Sequence, residues 1–258
     1  MNFTNIVPIP KKNDPQYITE FCPISLSNIV SWIISKVLEN QIKSVLPNVI
    51  SDALSAFIPD RLIIDNTTIA FEMLYHMRNQ RKGKTGHMAV KLDIRKVYDR
   101  VEWEFLRWIL MKIGLPEQWV NLAMEIVQTA SYSILNNGEP KGFITPTRGI
   151  KQGDPLSPYL FLLCAKVLSS LIQKVVDTNR LKGIYSCRGG VRISHFLFAN
   201  VSLLFCEAKI GECRQLLDIL TKYEEASGQA INRSKITLFF SQNIIRRDKE
   251  VIQNLMGA

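Results

Sequence analysis

The sequence predicts an α+β fold in which helices cover an antiparallel sheet. Three observations carry this. From residue 88 onward the apolar spacing changes between a period of two and a period near 3.6, so strands and helices share one stretch of chain. Turn signals at Asn137-Gly138 and at residues 198–201 join short apolar runs closely enough to form hairpins. A hydrophobic content of 47% over 258 residues is ample for a buried core and excludes wholesale disorder. The length admits one large domain or two small ones.

Each element follows from its own pattern. Val30, Ile33, Ile34, Val37, Leu38 and Ile42 recur at helical spacing, which predicts an amphipathic helix over residues 28–46. A second helix is expected over 64–80. Met88, Val90 and Leu92 alternate with Ala89, Lys91 and Asp93, a strand with Asp93 at its end on the face opposite the apolar set. Trp103–Ile113 and Pro116–Val127 read as two helices broken at Gly114. Tyr132–Leu135 and Phe143–Thr145 flank Asn137-Gly138 as a hairpin. Ser157 as N-cap and Pro158 at the first position open a helix that runs to about Val176. Val191–Leu197 and Ser202–Cys206 form a hairpin with Phe198-Ala199-Asn200-Val201 at its tip. Glu212–Ser227 is a helix ended by Gly228, and Ile236–Phe240 a strand. That order is the order of a ferredoxin-like split core.

Lys and Arg number 32 against 23 Asp and Glu, a net charge of +9, which fits a phosphate-rich partner such as nucleic acid. Many basic proteins bind nothing anionic, so charge alone leaves this open. The segment Arg78-Asn79-Gln80-Arg81-Lys82-Gly83-Lys84 reads as an exposed loop, either simply solvated or in contact with phosphates. Five cysteines without a CxxC pair argue against a disulfide framework or zinc site, and His76, His87 and His195 are too scattered for a metal cluster. The N-terminus lacks the charged-then-apolar pattern of a secretory signal. The longest apolar run, Tyr159–Cys164 continuing past Lys166 to Ile172, is too short for a membrane span. The expectation is an intracellular protein, nuclear or cytoplasmic, with no membrane partner.

Three pieces occur in a fixed order: Lys91-Leu92-Asp93 with Tyr98-Asp99, then Gln152-Gly153-Asp154-Pro155-Leu156-Ser157-Pro158, then the 198–201 tip. Together they resemble the palm of a reverse transcriptase, most closely those of plant LINE-type (non-LTR) retroelements. The resemblance covers nearly the whole chain. It implies a right-hand polymerase with fingers at 1–86, palm at 87–241 and the start of a connection or thumb at 242–258, the thumb largely missing and no room for an upstream endonuclease. It also implies an RNA template, a DNA primer and dNTP as partners, and Mg2+ as cofactor. In such chemistry two divalent ions about 3.5–4 Å apart clamp the attacking and leaving oxygens. Magnesium prefers hard oxygen ligands, so several carboxylates must converge.

By this resemblance Asp93 is the first metal ligand, although a lone strand-end aspartate is more often a solvated or capping residue. The family's tip reads Phe-Ala-Asp-Asp, and here Asn200 and Val201 replace the two aspartates. Tyr98 matches the aromatic beneath the incoming sugar, with Val97 where the family has alanine. Gln152 and Gly153 match contacts to the nucleotide and template base. Lys235, in Gly228-Gln229-Ala230-Ile231-Asn232-Arg233-Ser234-Lys235, matches a lysine near the leaving pyrophosphate and a candidate proton donor; taken alone it reads equally as a surface lysine opening a strand. Lys11 and Cys22 fall where a lysine and an arginine grip the triphosphate, and a cysteine makes no bidentate phosphate contact. Leu54 and Asp60 replace a glutamine and a glycine in the finger motif that ends at Arg61. Arg61, Arg81, Lys82 and Lys84 are the expected nucleic-acid contacts. Each departure is reachable by one base change, as in a decaying copy. The expectation is therefore a polymerase domain with a crippled metal site, or a non-catalytic nucleic-acid-binding domain or relic.

Overall fold

Proline placement shapes the first sheet. In the computed structural model, which describes residues 2–51, 53–54, 58, 62–83, 85–185, 190–198 and 201–257, β1 (Phe3–Pro10) pairs antiparallel with β2 (Phe21–Leu26), Pro8 opposite Pro23. Neither residue has an N–H, so this is a non-hydrogen-bonded pair, where the ladder loses nothing. No strand is expected from the sequence before residue 88, so this sheet of β1 and β2 is new. The remaining strands are β3 (His87–Arg95), β4 (Ser131–Asn136), β5 (Glu139–Ile144), β6 (Ile184–Tyr185), β7 (Arg192–Ile193), β8 (His195–Leu197), β9 (Val201–Glu207), β10 (Ala230–Ile231) and β11 (Thr237–Phe240). The helices are α1 (Ile29–Lys43), α2 (Leu46–Val49), α3 (Ile63–Asn79), α4 (Trp103–Lys112), α5 (Glu117–Gln128), α6 (Ser157–Asp177), α7 (Ile210–Ser227) and α8 (Arg246–Met256).

The chain divides into two compact units, each built from two stretches. The first holds Met1–Val49 with Tyr98–Leu163, and the second Ile50–Val97 with Cys164–Ala258. In the first unit the sheet order is β2-β1-β4-β5, with β1 parallel to β4 over Phe3–Ile6 only, so Pro8 and Pro10 lie beyond that pairing. The β4–β5 turn carries positive φ at Asn137 (52°) and Gly138 (83°), as an Asn-Gly hairpin turn requires. α1 begins where the Asn28 side chain accepts from the Ser31 N–H. It ends at Lys43, short of the expected 46, and the chain restarts as α2.

The second unit is an antiparallel sheet in the order β10-β3-β9-β8, with β11 also paired to β3. Met88, Val90, Leu92 and Ile94 are buried on one face of β3, while Lys91 and Arg95 are exposed. Ala89 departs from the expected polar face. It is buried beneath α3, in a cluster with Met73, Met77, Phe196 and Phe205. The run expected as one strand over 191–197 is broken at Ser194, whose carbonyl accepts from the Phe205 N–H. Arg192–Ile193 instead pairs with β6. α6 begins at Ser157 as expected. It ends at Asp177, about where expected, but contrary to the expectation of too short an apolar run it is long and apolar enough to cross a membrane by length and composition; 61% of its most apolar stretch is buried.

Candidate active site

In the second unit, β3 and β9 run antiparallel with Asp93 directly opposite Val201. Directly paired residues present their Cβ atoms on one face about 5 Å apart. The Phe198 N–H donates to the Val201 carbonyl at 2.8 Å, which closes the hairpin. Ala199 and Asn200 of the tip lie outside the described residues. The segment after α7 wraps the end of β3. Gly228 caps α7 in the left-handed region, the Gln229 Nε2 donates to the Val97 carbonyl (2.9 Å), and the Asn232 N–H donates to the Asp93 carbonyl (2.8 Å). Glu224 accepts from the Ile231 N–H and pairs with Arg233, which fixes this segment against α7. Lys235 is thereby delivered to Asp93, with its Nζ 3.0 Å from Oδ2. Asp93, Val201 and Lys235 thus meet at one sheet end.

In the first unit a second group of expected residues meets. The Ser25 N–H points off the outer edge of β2 and donates to the Gln152 carbonyl (3.2 Å), and the Gln152 Nε2 lies 3.7 Å from the Cys22 Sγ. Gly153 has φ +94°, where a side chain is strained, and a Cβ there would lie 3.3 Å from the Ser25 carbonyl, a tight approach that glycine avoids. Lys11 follows β1 at the exposed hairpin end, where its Nζ donates to the Thr19 carbonyl (3.1 Å). The neighbouring Lys12 is paired with Glu20. Tyr98 packs on Phe161 with ring centroids 5.6 Å apart, and burial raises its phenol above the ordinary value. Gly149 donates to the Val101 carbonyl and Ile150 to the Tyr98 carbonyl, tying the loop before Gln152 to the turn that carries Tyr98. Arg81 and Lys82 are exposed, whereas Arg61 and Lys84 lie outside the described residues.

Comparison with known proteins supplies the family. The model of the family described as "Reverse transcriptase (RNA-dependent DNA polymerase)" matches residues 9–251. The chain belongs to the reverse transcriptase family. This reverse transcriptase domain is 27% identical over 234 residues to a transposon TX1 149 kDa protein of Xenopus laevis, covering 88% of the chain and 17% of that protein. It is 27% identical over 231 residues to a Pol polyprotein from an R2 retrotransposable element of Nasonia vitripennis, covering 89% and 21%. A mitochondrial protein of Arabidopsis thaliana is 53% identical over 64 residues, 25% of the chain and 52% of that protein. The chain thus spans about half of that protein and about a fifth of the two transposon proteins. Among solved structures, a telomerase of Candida tropicalis in complex with a fragment of telomeric RNA superposes with TM-score 0.65 at 11% identity, covering 93% of the chain and 41% of that one. A telomerase of Candida albicans gives 0.64 at 12%, covering 95% and 44%. The polymerase fold expected from the sequence is the one these structures share.

The family as a whole implies a divalent metal, and the side chains of this reverse transcriptase domain can be tested against one. Asp93 is a single carboxylate paired with Lys235, and the Val201 side chain opposite it has no ligating atom. Among the described residues no group of three or more His, Cys, Asp or Glu side chains is placed to hold a metal. These residues do not fit a pair of divalent ions.

Two buried polar groups escaped the sequence reading. Asp154 is 4% exposed; its Oδ2 accepts from Ser35 (2.8 Å) and its Oδ1 from the Leu156 N–H (3.0 Å). Burial raises its carboxyl above the ordinary value, while these donors and Lys151 pull it back. Together with burial, Asp154 and Asp99 push Tyr132 up to about 12. The aspartate inside the Gln-Gly-Asp-Pro run therefore ties α1 to the start of α6, and its place in that motif was the available signal. His195, read only as scattered, is buried between Ser169 (2.7 Å) and Ser194 (2.8 Å). Nothing in its local sequence pointed to that.

Proposed function

We propose that this chain is the reverse transcriptase domain of a LINE-type retroelement whose nucleotidyl-transfer centre is disabled, leaving a basic nucleic-acid-binding domain. The observation that carries the proposal is the Asp93–Lys235 ion pair facing Val201. In the working chemistry several carboxylates hold magnesium, and charge stabilisation of the phosphoryl transition state is most of the catalysis. A valine cannot share that task, and Asn200 offers one neutral oxygen. In this reading residues 1–86 supply fingers, 87–241 the palm and 242–258 the start of a thumb. Lys11, Cys22, Tyr98, Gln152 and Gly153 face the dNTP, and Arg61, Arg81, Lys82 and Lys84 the RNA template and DNA primer. The net charge of +9 supports retained binding after loss of catalysis.

The test is primer extension on an RNA template with magnesium or manganese. The chain as it stands gives no product above background. Asn200→Asp with Val201→Asp gives extension that Asp93→Ala abolishes, and adding Cys22→Arg lowers the KM for dNTP. Extension by the unmodified chain that survives Asp93→Ala overturns the proposal.

A further inference from the structure

α3 completes its buried face with Ala70, Met73 and Met77, all at most 6% exposed. It nevertheless keeps two aromatics in solvent, Phe71 at 69% and Tyr75 at 70% exposed. With Arg78 they follow the i, i+4, i+7 spacing of one helix face. Phe239 of β11 is 45% exposed, and Phe71, Tyr75, Arg78, Phe239 and Gln242 line one open cavity of about 480 Å³. Rings left this exposed on both walls of a groove contribute less to folding than buried rings would, because much of each stays in water.

The groove is edged by positive charge, and the fold holds that charge in place. Gln242 lines the groove, and the next residue, Asn243, donates from Nδ2 to the Gly83 (3.2 Å) and Thr85 (2.8 Å) carbonyls. The Asn243 N–H donates to the Gln80 carbonyl (3.2 Å), and the Gln80 Nε2 to the Thr85 carbonyl (3.1 Å). The loop carrying exposed Arg81 and Lys82 is therefore pinned beside the groove. From α8, the Lys249 Nζ sits 6.0 Å from the ring centre of Phe240. Aromatic faces interleaved with cations match single-stranded nucleic acid, whose bases stack and whose phosphates need neutralising. An apolar protein segment would leave Arg78, Arg81 and Lys82 without counter-charge.

We propose that the groove between α3 and β11 is a stacking platform for single-stranded nucleic acid, with Phe71, Tyr75 and Phe239 under the bases and Arg78, Arg81 and Lys82 on the phosphates. It lies apart from the Asp93 end of the sheet. Phe239 pairs with Ala89, four residues up β3 from Asp93, a separation of roughly 13 Å along the strand. The inference rests on the nucleic-acid-binding reading above and adds the surface and the strand state.

Fluorescence anisotropy with labelled oligo-uridylate, and with an RNA duplex of equal length, tests it. Phe71→Ala with Tyr75→Ala, both at exposed positions, weakens oligo-uridylate binding about tenfold or more and spares the duplex. Phe71→Tyr retains binding. Arg81→Ala with Lys82→Ala lowers the slope of log affinity against log salt by about one to two. If the parent binds but the aromatic double variant binds as tightly, the platform is overturned while the binding reading stands. If the parent binds neither probe at low salt, both fall. If the aromatic variant changes only self-association, the surface is a protein contact and the proposal is wrong.

Discussion

At the scale of single residues, the pairing of Asp93 with Val201 matters most. Their Cβ atoms lie on one face, so a carboxylate at 201 would stand beside Asp93, repelling it unless a cation lies between them. The Asn200→Asp, Val201→Asp variant should therefore melt at a higher temperature when manganese is added, with the parent unchanged; differential scanning fluorimetry reads both. His195 is a second residue-scale case. Burial, with the nearby Lys166, depresses its imidazole to about 4. An unfolded histidine titrates near 6.5, so the fold favours the neutral ring. The resulting stability is full above about 6.5 and is lost as pH falls through about 4, an effect on the order of 3 kcal/mol. Urea midpoints at neutral and acid pH should fall more steeply for the parent than for His195→Gln.

At the scale of elements, the Gln152–Pro158 segment is held at both ends. Gly149 (φ +91°) brings a would-be Cβ within 2.8 Å of the Asp99 carbonyl, and Asp154 anchors the start of α6 through buried bonds to Ser35 and the Leu156 N–H. Asp154→Ala leaves those donors without a partner and should lower stability by about 2–4 kcal/mol, while Asp154→Asn keeps an acceptor and costs less. Denaturant midpoints of the two variants rank them. The same logic applies to β1 and β2. Both prolines sit at a non-hydrogen-bonded pair, where neither backbone nitrogen faces the partner strand, so neither costs the β1–β2 ladder a bond.

At the scale of the whole molecule, the net charge of +9 sets the character of any nucleic-acid contact. Neutralising phosphates releases counterions, so binding should be sequence-independent and weaken steeply between low and moderate salt. Titrations of oligo-uridylate at several salt concentrations measure the slope; affinity flat in salt would assign the cations no role. The distribution of charge counts as much as its sum. Lys12, Lys36, Lys43 and Lys209 are spent on Glu20, Glu39 and Glu207, whereas Arg81 and Lys82 stay exposed on a pinned loop.

Much of this was legible in the residues themselves. Hydrophobic period placed α3, α4, α5, α6 and α7 to within a few residues, and Asn137-Gly138 placed its hairpin, because these depend on local sterics and on one buried face. The motif order around Asp93, Gln152 and the 198–201 tip was enough to name the family. Other features were decided only by contacts far apart in sequence. The Pro8–Pro23 pairing depends on a partner strand, the burial of Ala89 on α3 passing over it, and the break at Ser194 on Arg192–Ile193 pairing with β6 while His195–Leu197 pairs with β9. Lys235 reaches Asp93 only because Gly228, Gln229 and Asn232 turn the chain across the end of β3. Asp154 gains its role from Ser35, 119 residues away. Local pattern reports which face of a segment is apolar, whereas partners for buried polar groups and aromatics are assigned by tertiary proximity.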